Sequence, residues 1–549
     1  MITIIILLIL ATISIQSLTN TGLFAKAKEA RDKTANAAEN QAKILNEYED
    51  ELNKYVSDNK NKTDWTGKVN KPKLMTGMTA IKFNEPTGDE KAKEGSTVKT
   101  TDTDTTWYDY DAKKWANAQT EDGSMWVWIP RYAYKVNADT KTFDVVFLIG
   151  TTDDYYENGV RKTAKRQTKA DETVDTTTGY TVHPAFTNES SIGYANGGWN
   201  QELAGIWVAK FEAGYATSNG NSAPKKASSV NYSQTSVWAQ SAETGGKDGP
   251  LPARNWIDGV YGSTKTSIKY PTFQGLAYSM NYINHNDAFN ISRALTENGN
   301  IYGLSRSTTD SHLMKNSEWG AVAYLAQSKY GLNGTNIYIN NANLRNSQTS
   351  AYAITGCAGE TEDAAELGVK IDNSTKKPVS TDNTKKIYTW TQANGTKAST
   401  TGTIYGIYDM SGGAWEKTAS LVNNGNGNLS TYGQSLMNSL VNGKSSQYVT
   451  VYPHNASVDK NGANINTASQ SNWEANKKIY GDGIRETSTA GTGKNSWYTD
   501  YSYFPAVDAP FSERGGLYWD GEGAGLFYFF PGDGNSYFDA GFRSVLVAL

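Results

Sequence analysis

Hydrophobic positions along this chain fall into three textures. Met1 to Gln16, MITIIILLILATISIQ, carries no charged side chain. From Leu23 to about Ser57 the sequence is rich in Ala, Lys and Glu and lacks Pro and Gly, with Ile44, Leu45, Tyr48, Leu52 and Tyr55 spaced for one face of a long amphipathic helix. Beyond Met125 the apolar residues gather in short β-branched and aromatic runs bounded by turn residues: MWVWIPRYAYKV (Met125 to Val136), TFDVVFLIG (Thr142 to Gly150) and GIWVAKFEAGY (Gly205 to Tyr215). These predict strands. One further helix is predicted within Ser311 to Gly331, where Leu313, Met314, Trp319, Val322, Ala323 and Leu325 form a broad apolar face, Gly331 is the stop and Asp310 or Ser311 the cap. A shorter amphipathic stretch, Gly275 to Asn286, precedes it. Polar insertions run from Thr151 to Gly179, Ala216 to Gly249, Ala358 to Thr401 and from Ser420 to about Trp497.

The segment Phe504 to Leu549 reads FPAVDAPFSERGGLYWDGEGAGLFYFFPGDGNSYFDAGFRSVLVAL. Arg514, Gly515, Gly516, Ala524, Gly525, Gly541, Phe542 and Arg543 form a frame around Tyr, Trp, Phe, Asp and Asn. That mixture suits a binding surface: aromatics give wide contact at low entropic cost, and the small polar residues give adaptable hydrogen bonds. Phe527, Phe529, Phe542, Val545 and Leu546 read as core. Strand alternation then sends Leu526, Tyr528 and Phe530 to the opposite face, which is expected to be outside the core.

Composition narrows the function classes. The 549 residues include 34 Tyr, 15 Trp and 51 Gly against 13 Pro, which favours a large, loop-rich, mostly non-helical domain. A net charge of -4 without a basic run gives no reason to expect a nucleic-acid partner. One cysteine, Cys357, excludes an intramolecular disulfide, and four scattered histidines (His183, His285, His312, His454) give no zinc spacing. The carboxylate pairs Asp153 and Asp154, and Glu360 and Glu362, read as solvated loops.

The opening segment resembles the amino-terminal region of type IV pilins and pseudopilins of the Gram-positive kind, in which a basic leader, a processed Gly and a Glu precede a run much like ITIIILLILATISI. Leader, Gly and Glu are absent here, and a translation start lying further upstream would account for that. The resemblance implies a pilin-like hydrophobic and amphipathic helix over residues 1–57, acting as a membrane anchor and able to pack against pilin subunits, then a stalk over 58–70. A plain membrane anchor is the alternative.

A second resemblance rests on GTIYGIYDMSGGAWEKTAS (Gly402 to Ser420) and the two later motifs. Gly406, Tyr408, Asp409, Met410, Gly412, Trp415 and Glu416, then Arg514, Gly515 and Gly516, then Gly541, Phe542 and Arg543, are similar to the ordered motifs of the formylglycine-generating-enzyme (sulfatase-modifying-factor) family, which has a C-type-lectin-like fold. It implies an α+β, lectin-like domain with long insertions over residues 71–549. Generating enzymes use a carboxy-terminal cysteine pair with copper, and their iron-dependent relatives a histidine cluster. With one cysteine and dispersed histidines, the chain is expected to be non-catalytic and to hold neither copper nor iron. The resemblance also implies a calcium site from the Asp409 side chain, the Gly412 and Ala414 carbonyls and the Glu416 carboxylate, oxygen donors of the kind calcium takes. Gly413 and Lys417 depart from the family's Asn and Trp, which is expected to loosen the loop and put a positive charge beside the site.

The terminal frame further resembles that of variable proteins of diversity-generating retroelements, whose last strands are rewritten by adenine-directed mutagenesis. The resemblance implies a variable region over 511–543, with ligand-binding candidates Tyr518, Trp519, Asp520, Tyr528, Phe530, Asp533, Asn535, Tyr537, Phe538 and Asp539. The expected function is a surface-displayed, membrane-anchored or filament-associated binder in a Gram-positive bacterium, meeting a protein or glycan on another cell or phage. The alternative is a minor pilin of fixed specificity.

Overall fold

Continuous apolar runs such as MWVWIP become strands covered on both faces. The computed structural model describes residues 69–214, 271–281, 283–347, 350–372, 377–459 and 464–549, together with Lys33. The pilin-like helix and nearly all of the stalk lie outside the described residues, as does the Ala216 to Gly249 insertion. Two compact units divide the chain, Met1–Trp65 with Tyr156–Val160 and Thr66–Tyr155 with Arg161–Leu549, and the motifs all fall in the second. No helix among the described residues is long and apolar enough to cross a membrane.

The second unit is a mixed α+β structure, mostly strands with few helices. Its largest sheet has seven strands: β1 (Met78–Asn84), β2 (Ser96–Lys99), β3 (Asn117–Thr120), β4 (Met125–Pro130), β5 (Gly205–Ala209), β6 (Thr309–Leu313) and, from the end of the chain, Ser544–Ala548. That terminal strand inserts between β5 and β6, so the order is β6, terminal strand, β5, β4, β3, β1, β2, every pair antiparallel. Trp126 and Trp128 of β4 and Trp207 of β5 enter one core, while Val127, Ile129, Ile206 and Val208 enter the other. Coverage on both sides explains why these strands are continuously apolar.

A second sheet carries the motifs. It contains β7 (Trp415–Val422), β8 (Thr450–Tyr452), β9 (Phe511–Gly515), β10 (Gly525–Gly532) and β11 (Ala540–Phe542), in the order β8, β7, β9, β10, with β11 parallel to the start of β7. The terminal strand Ser544–Ala548, hereafter β12, follows directly and joins the two sheets through the chain.

The helices start later than the sequence suggests. Helix α1 spans His285–Ala294, capped by Asn284 Oδ1 accepting from the Asp287 amide (2.8 Å), so most of Gly275 to Asn286 is not helical. Helix α2 spans Asn316–Ala326. Asp310 and Ser311 do not cap it: they belong to β6. The Lys315 amide donates instead to Glu318 Oε2 (2.9 Å), and the helix ends at Ala326 with Gln327 as its C-cap, ahead of Gly331. Every residue of α2 is buried, and a Cβ at Gly320 would come within 2.1 Å of the Gly481 carbonyl oxygen. The polar insertion after Ser420 therefore folds back over this helix.

Candidate ligand-binding face

The three motifs meet at one place. On β7, Glu416 stands opposite Arg514 of β9 on one side and Gly541 of β11 on the other. Arg543, fully buried, donates from Nε to Glu416 Oε2 (2.9 Å), from Nη2 to Glu416 Oε1 (2.5 Å) and to the Tyr408 carbonyl (2.8 Å), and from Nη1 to the Ala209 carbonyl (2.7 Å). It ties both sheets to the motif loop. Arg514, also fully buried, donates to the Asp482 carbonyl (3.0 Å), and its guanidinium lies 5.5 Å from the Trp319 ring centre. Gly515 and Gly516 both have positive φ (84° and 81°), and a Cβ on Gly516 would meet Ala524 at 2.7 Å, which explains why the loop between them closes only on glycine.

The frame holds a row of half-buried aromatic side chains. Phe530 stacks on Trp415 (5.4 Å between ring centres, 14° between planes) and packs against Tyr503 (5.4 Å), which adjoins Tyr501 (6.1 Å). Trp519, 37 % exposed, sits 6.0 Å from Phe538. Asp520, Phe530, Asp533, Asn535, Tyr537 and Phe538 are half-buried, and the Tyr537 hydroxyl donates to Asp533 Oδ2 (2.6 Å). Tyr501, Tyr503 and Trp415 were missing from the sequence-based set. The signal for the first two is the extended pattern Tyr501, Ser502, Tyr503, Phe504, where the tyrosines are half-buried and the alternate residues buried.

Three candidates are not surface residues. Tyr518 and Tyr528 are buried, and Asp539 is 7 % exposed. Leu526 is buried too, so the alternation argument fails for β10: Phe527 and Phe529 fill one side, and Trp415 and Tyr501 cover the Tyr528 side. The Tyr528 hydroxyl accepts from Trp415 Nε1 (2.7 Å), and burial raises its phenol well above the ordinary value. Burial, reinforced by the neighbouring Glu513, pushes the Asp539 carboxyl up to about 7. The same burial pushes Asp520 to about 6.

Of the oxygen donors the resemblance implies for calcium, one carboxylate is already engaged. Glu416 spends both oxygens on Arg543. Asp409, at φ 63°, accepts on Oδ1 from Asn340 Nδ2 (2.9 Å) and the Gly356 amide (2.8 Å), leaving Oδ2 without a partner among the described residues. Beside it the buried Glu212 accepts from the Ala414 amide (3.3 Å), and burial, with Asp409 next, raises the Glu212 carboxyl well above the usual range. No group of three or more His, Cys, Asp or Glu side chains among the described residues is placed to hold a metal ion. Gly413 does not loosen the loop: its φ of 79° is a fixed left-handed conformation, and a Cβ there would approach Glu212 Oε1 to 3.0 Å. Lys417 does not face the site either. One residue on from Glu416 it points to the opposite side of β7 and donates to Glu513 Oε1 (2.8 Å). Cys357 is buried, and burial raises its thiol well above the ordinary value.

Among known proteins, the chain matches no family model and no curated protein.

Proposed function

We propose that this chain is a non-catalytic, surface-displayed binding protein with a C-type-lectin-like domain of the formylglycine-generating type, anchored at a Gram-positive cell surface through residues 1–57. Its ligand-binding face is formed by Trp519, Asp520, Phe530, Asp533, Asn535, Tyr537 and Phe538, extended by Trp415, Tyr501 and Tyr503. One observation carries the reading: the terminal segment divides into buried motif residues that hold the backbone and a contiguous set of partly exposed aromatic and small polar side chains. The meeting of the three motifs around Glu416 supports the family assignment. A buried lone thiol supports the absence of generating-enzyme chemistry, because a nucleophilic or copper-binding cysteine needs its thiolate.

The face is the part of the gene rewritten by a retroelement. Deep sequencing of codons 511–543 across a population tests this. Substitutions are expected at the seven partly exposed candidates, with Arg514, Gly516, Gly541, Arg543 and the buried Tyr518, Tyr528 and Asp539 constant. A uniform sequence would leave a binder of fixed specificity and refute diversification. Loss of ligand capture after alanine replacement of Phe530 and Trp519 together, with the melting temperature unchanged, tests the face itself.

A further inference from the structure

Lys417 stands where the resembling family has tryptophan, and nothing in the binding face uses it. It is fully buried on β7, directly across from Glu513 on β9, and the two form a buried ion pair with Nζ 2.8 Å from Oε1. A third acid completes the group. Asp539 immediately precedes β11, the strand on the other side of β7; its backbone carbonyl accepts from the Trp415 amide (2.8 Å), and its carboxyl lies within electrostatic reach of both Glu513 and Lys417. Its Oδ1 is buried and has no hydrogen-bond partner among the described residues. A second buried carboxyl with an unused oxygen therefore adjoins the ion pair.

We propose that Lys417 and Glu513 become joined by an intramolecular amide bond, with Asp539 as the proton carrier. The reaction starts with transfer of one Nζ proton to the Glu513 carboxylate across the 2.8 Å contact, which leaves an amine and a carboxylic acid side by side. The Nζ lone pair attacks Cδ of Glu513 while the Asp539 carboxyl donates a hydrogen bond to the carbonyl oxygen. Asp539 then takes a proton from Nζ and returns it to the departing hydroxyl. One N–C bond forms, one C–O bond breaks, one water leaves, and Asp539 ends as it began. No oxidant, metal or cofactor takes part. The elevated Asp539 carboxyl, at about 7, suits a group that must give and take a proton near neutrality.

The bond would weld the strand carrying the motif to the strand that enters the binding face, joining positions 96 apart in the chain. The test is peptide mapping of the full chain by mass spectrometry after denaturation. A branched peptide joining residues 417 and 513 is expected, lighter than its two parts by about 18 Da, one water, with trypsin failing to cut after Lys417. Glu513→Gln should give the same branched peptide with loss of ammonia, and Asp539→Ala, checked by tryptophan fluorescence for retained folding, should give linear peptides. Folded wild-type protein yielding only linear peptides overturns the proposal. A branch from residue 417 to residue 539 overturns the assignment of the two carboxyls, and a branch that persists in a folded Asp539→Ala variant overturns the role of Asp539.

Discussion

Glu416→Gln is the sharpest test of the frame. The substitution preserves shape and one acceptor oxygen but leaves the fully buried Arg543 guanidinium with the Tyr408 and Ala209 carbonyls and an uncharged amide as partners. Breaking a buried ion pair from one side costs about 3–5 kcal/mol, because the remaining charge is stranded away from water. Unfolding entropy of about 2.1 cal/mol/K per residue gives about 0.8 kcal/mol/K over the roughly 400 described residues, so the melting temperature should fall by about 4–6 °C. Thermal melts followed by tryptophan fluorescence read this directly, since Trp319 and Trp207 are fully buried. The buried Glu212 works against the loss, for Arg543 also attracts its carboxyl. A cycle with Arg543→Met separates the terms. Removing both charges should cost less than the sum of the single losses by about 2 kcal/mol or more. A Glu416→Gln variant melting within about 1 °C of wild type, or single losses that simply add in the double variant, would refute the claim that this pair holds the motifs together.

Four further outcomes follow from the same geometry. Tyr528→Ala should cost about 3–5 kcal/mol in chemical denaturation, as expected for a buried aromatic, whereas Trp519→Ala should stay within about 0.5 kcal/mol. Gly413→Ala should lose about 1–3 kcal/mol from its left-handed backbone and crowd Glu212, and Gly413→Asn, which tolerates that conformation, should suffer less in the same denaturation assay. Burial raises the carboxyls of Asp539 and of Glu486, which accepts from the Tyr134 hydroxyl (2.7 Å), to about 7, above their ordinary values of 3.8 and 4.5, so their contribution is full below pH about 4 and lost as pH rises through 7. The melting temperature should therefore fall between pH 5 and 8, with a shallower slope in Asp539→Asn. Burial lowers His312, yet Glu318 (2.8 Å) and Asp310 (2.9 Å) together outweigh it and raise the imidazole, so His312→Gln should destabilise most at acidic pH and progressively less as pH rises through the raised value.

How much of this was legible in the sequence depended on whether a signal was local. The runs at Met125, Thr142 and Gly205 read correctly as strands, the second forming a strand over Thr142–Phe147, because β-branched and aromatic residues between turns carry that information themselves. Phe527, Phe529, Phe542, Val545 and Leu546 are all buried as expected. Tyr528 was misplaced because alternation assigns two faces but does not say what lies on the second: Tyr501, 27 positions upstream, supplies the cover. The start of α2 was misplaced for a related reason. Thr309–Leu313 is short enough to merge into the apolar pattern of the helix, and only its pairing with β12 separates it. Glu416 and Lys417 were read as one neighbourhood, although adjacent strand residues face opposite ways.

That alternation explains how one strand serves two purposes. The Glu416 side of β7 is closed by Arg543, whose other bonds go to backbone carbonyls at Ala209 and Tyr408. Arg514 likewise grips the carbonyl of Asp482. A carbonyl oxygen is present whatever the side chain, so these arginine contacts do not depend on the identity of Trp519, Asp520 or the residues from Asp533 to Phe538. Tyr518 and Tyr528 differ, because they fill space against Ala353, Ala414 and Trp415. A frame anchored on main chain can therefore carry many surfaces, but only where the side chains it presents do not themselves complete the core.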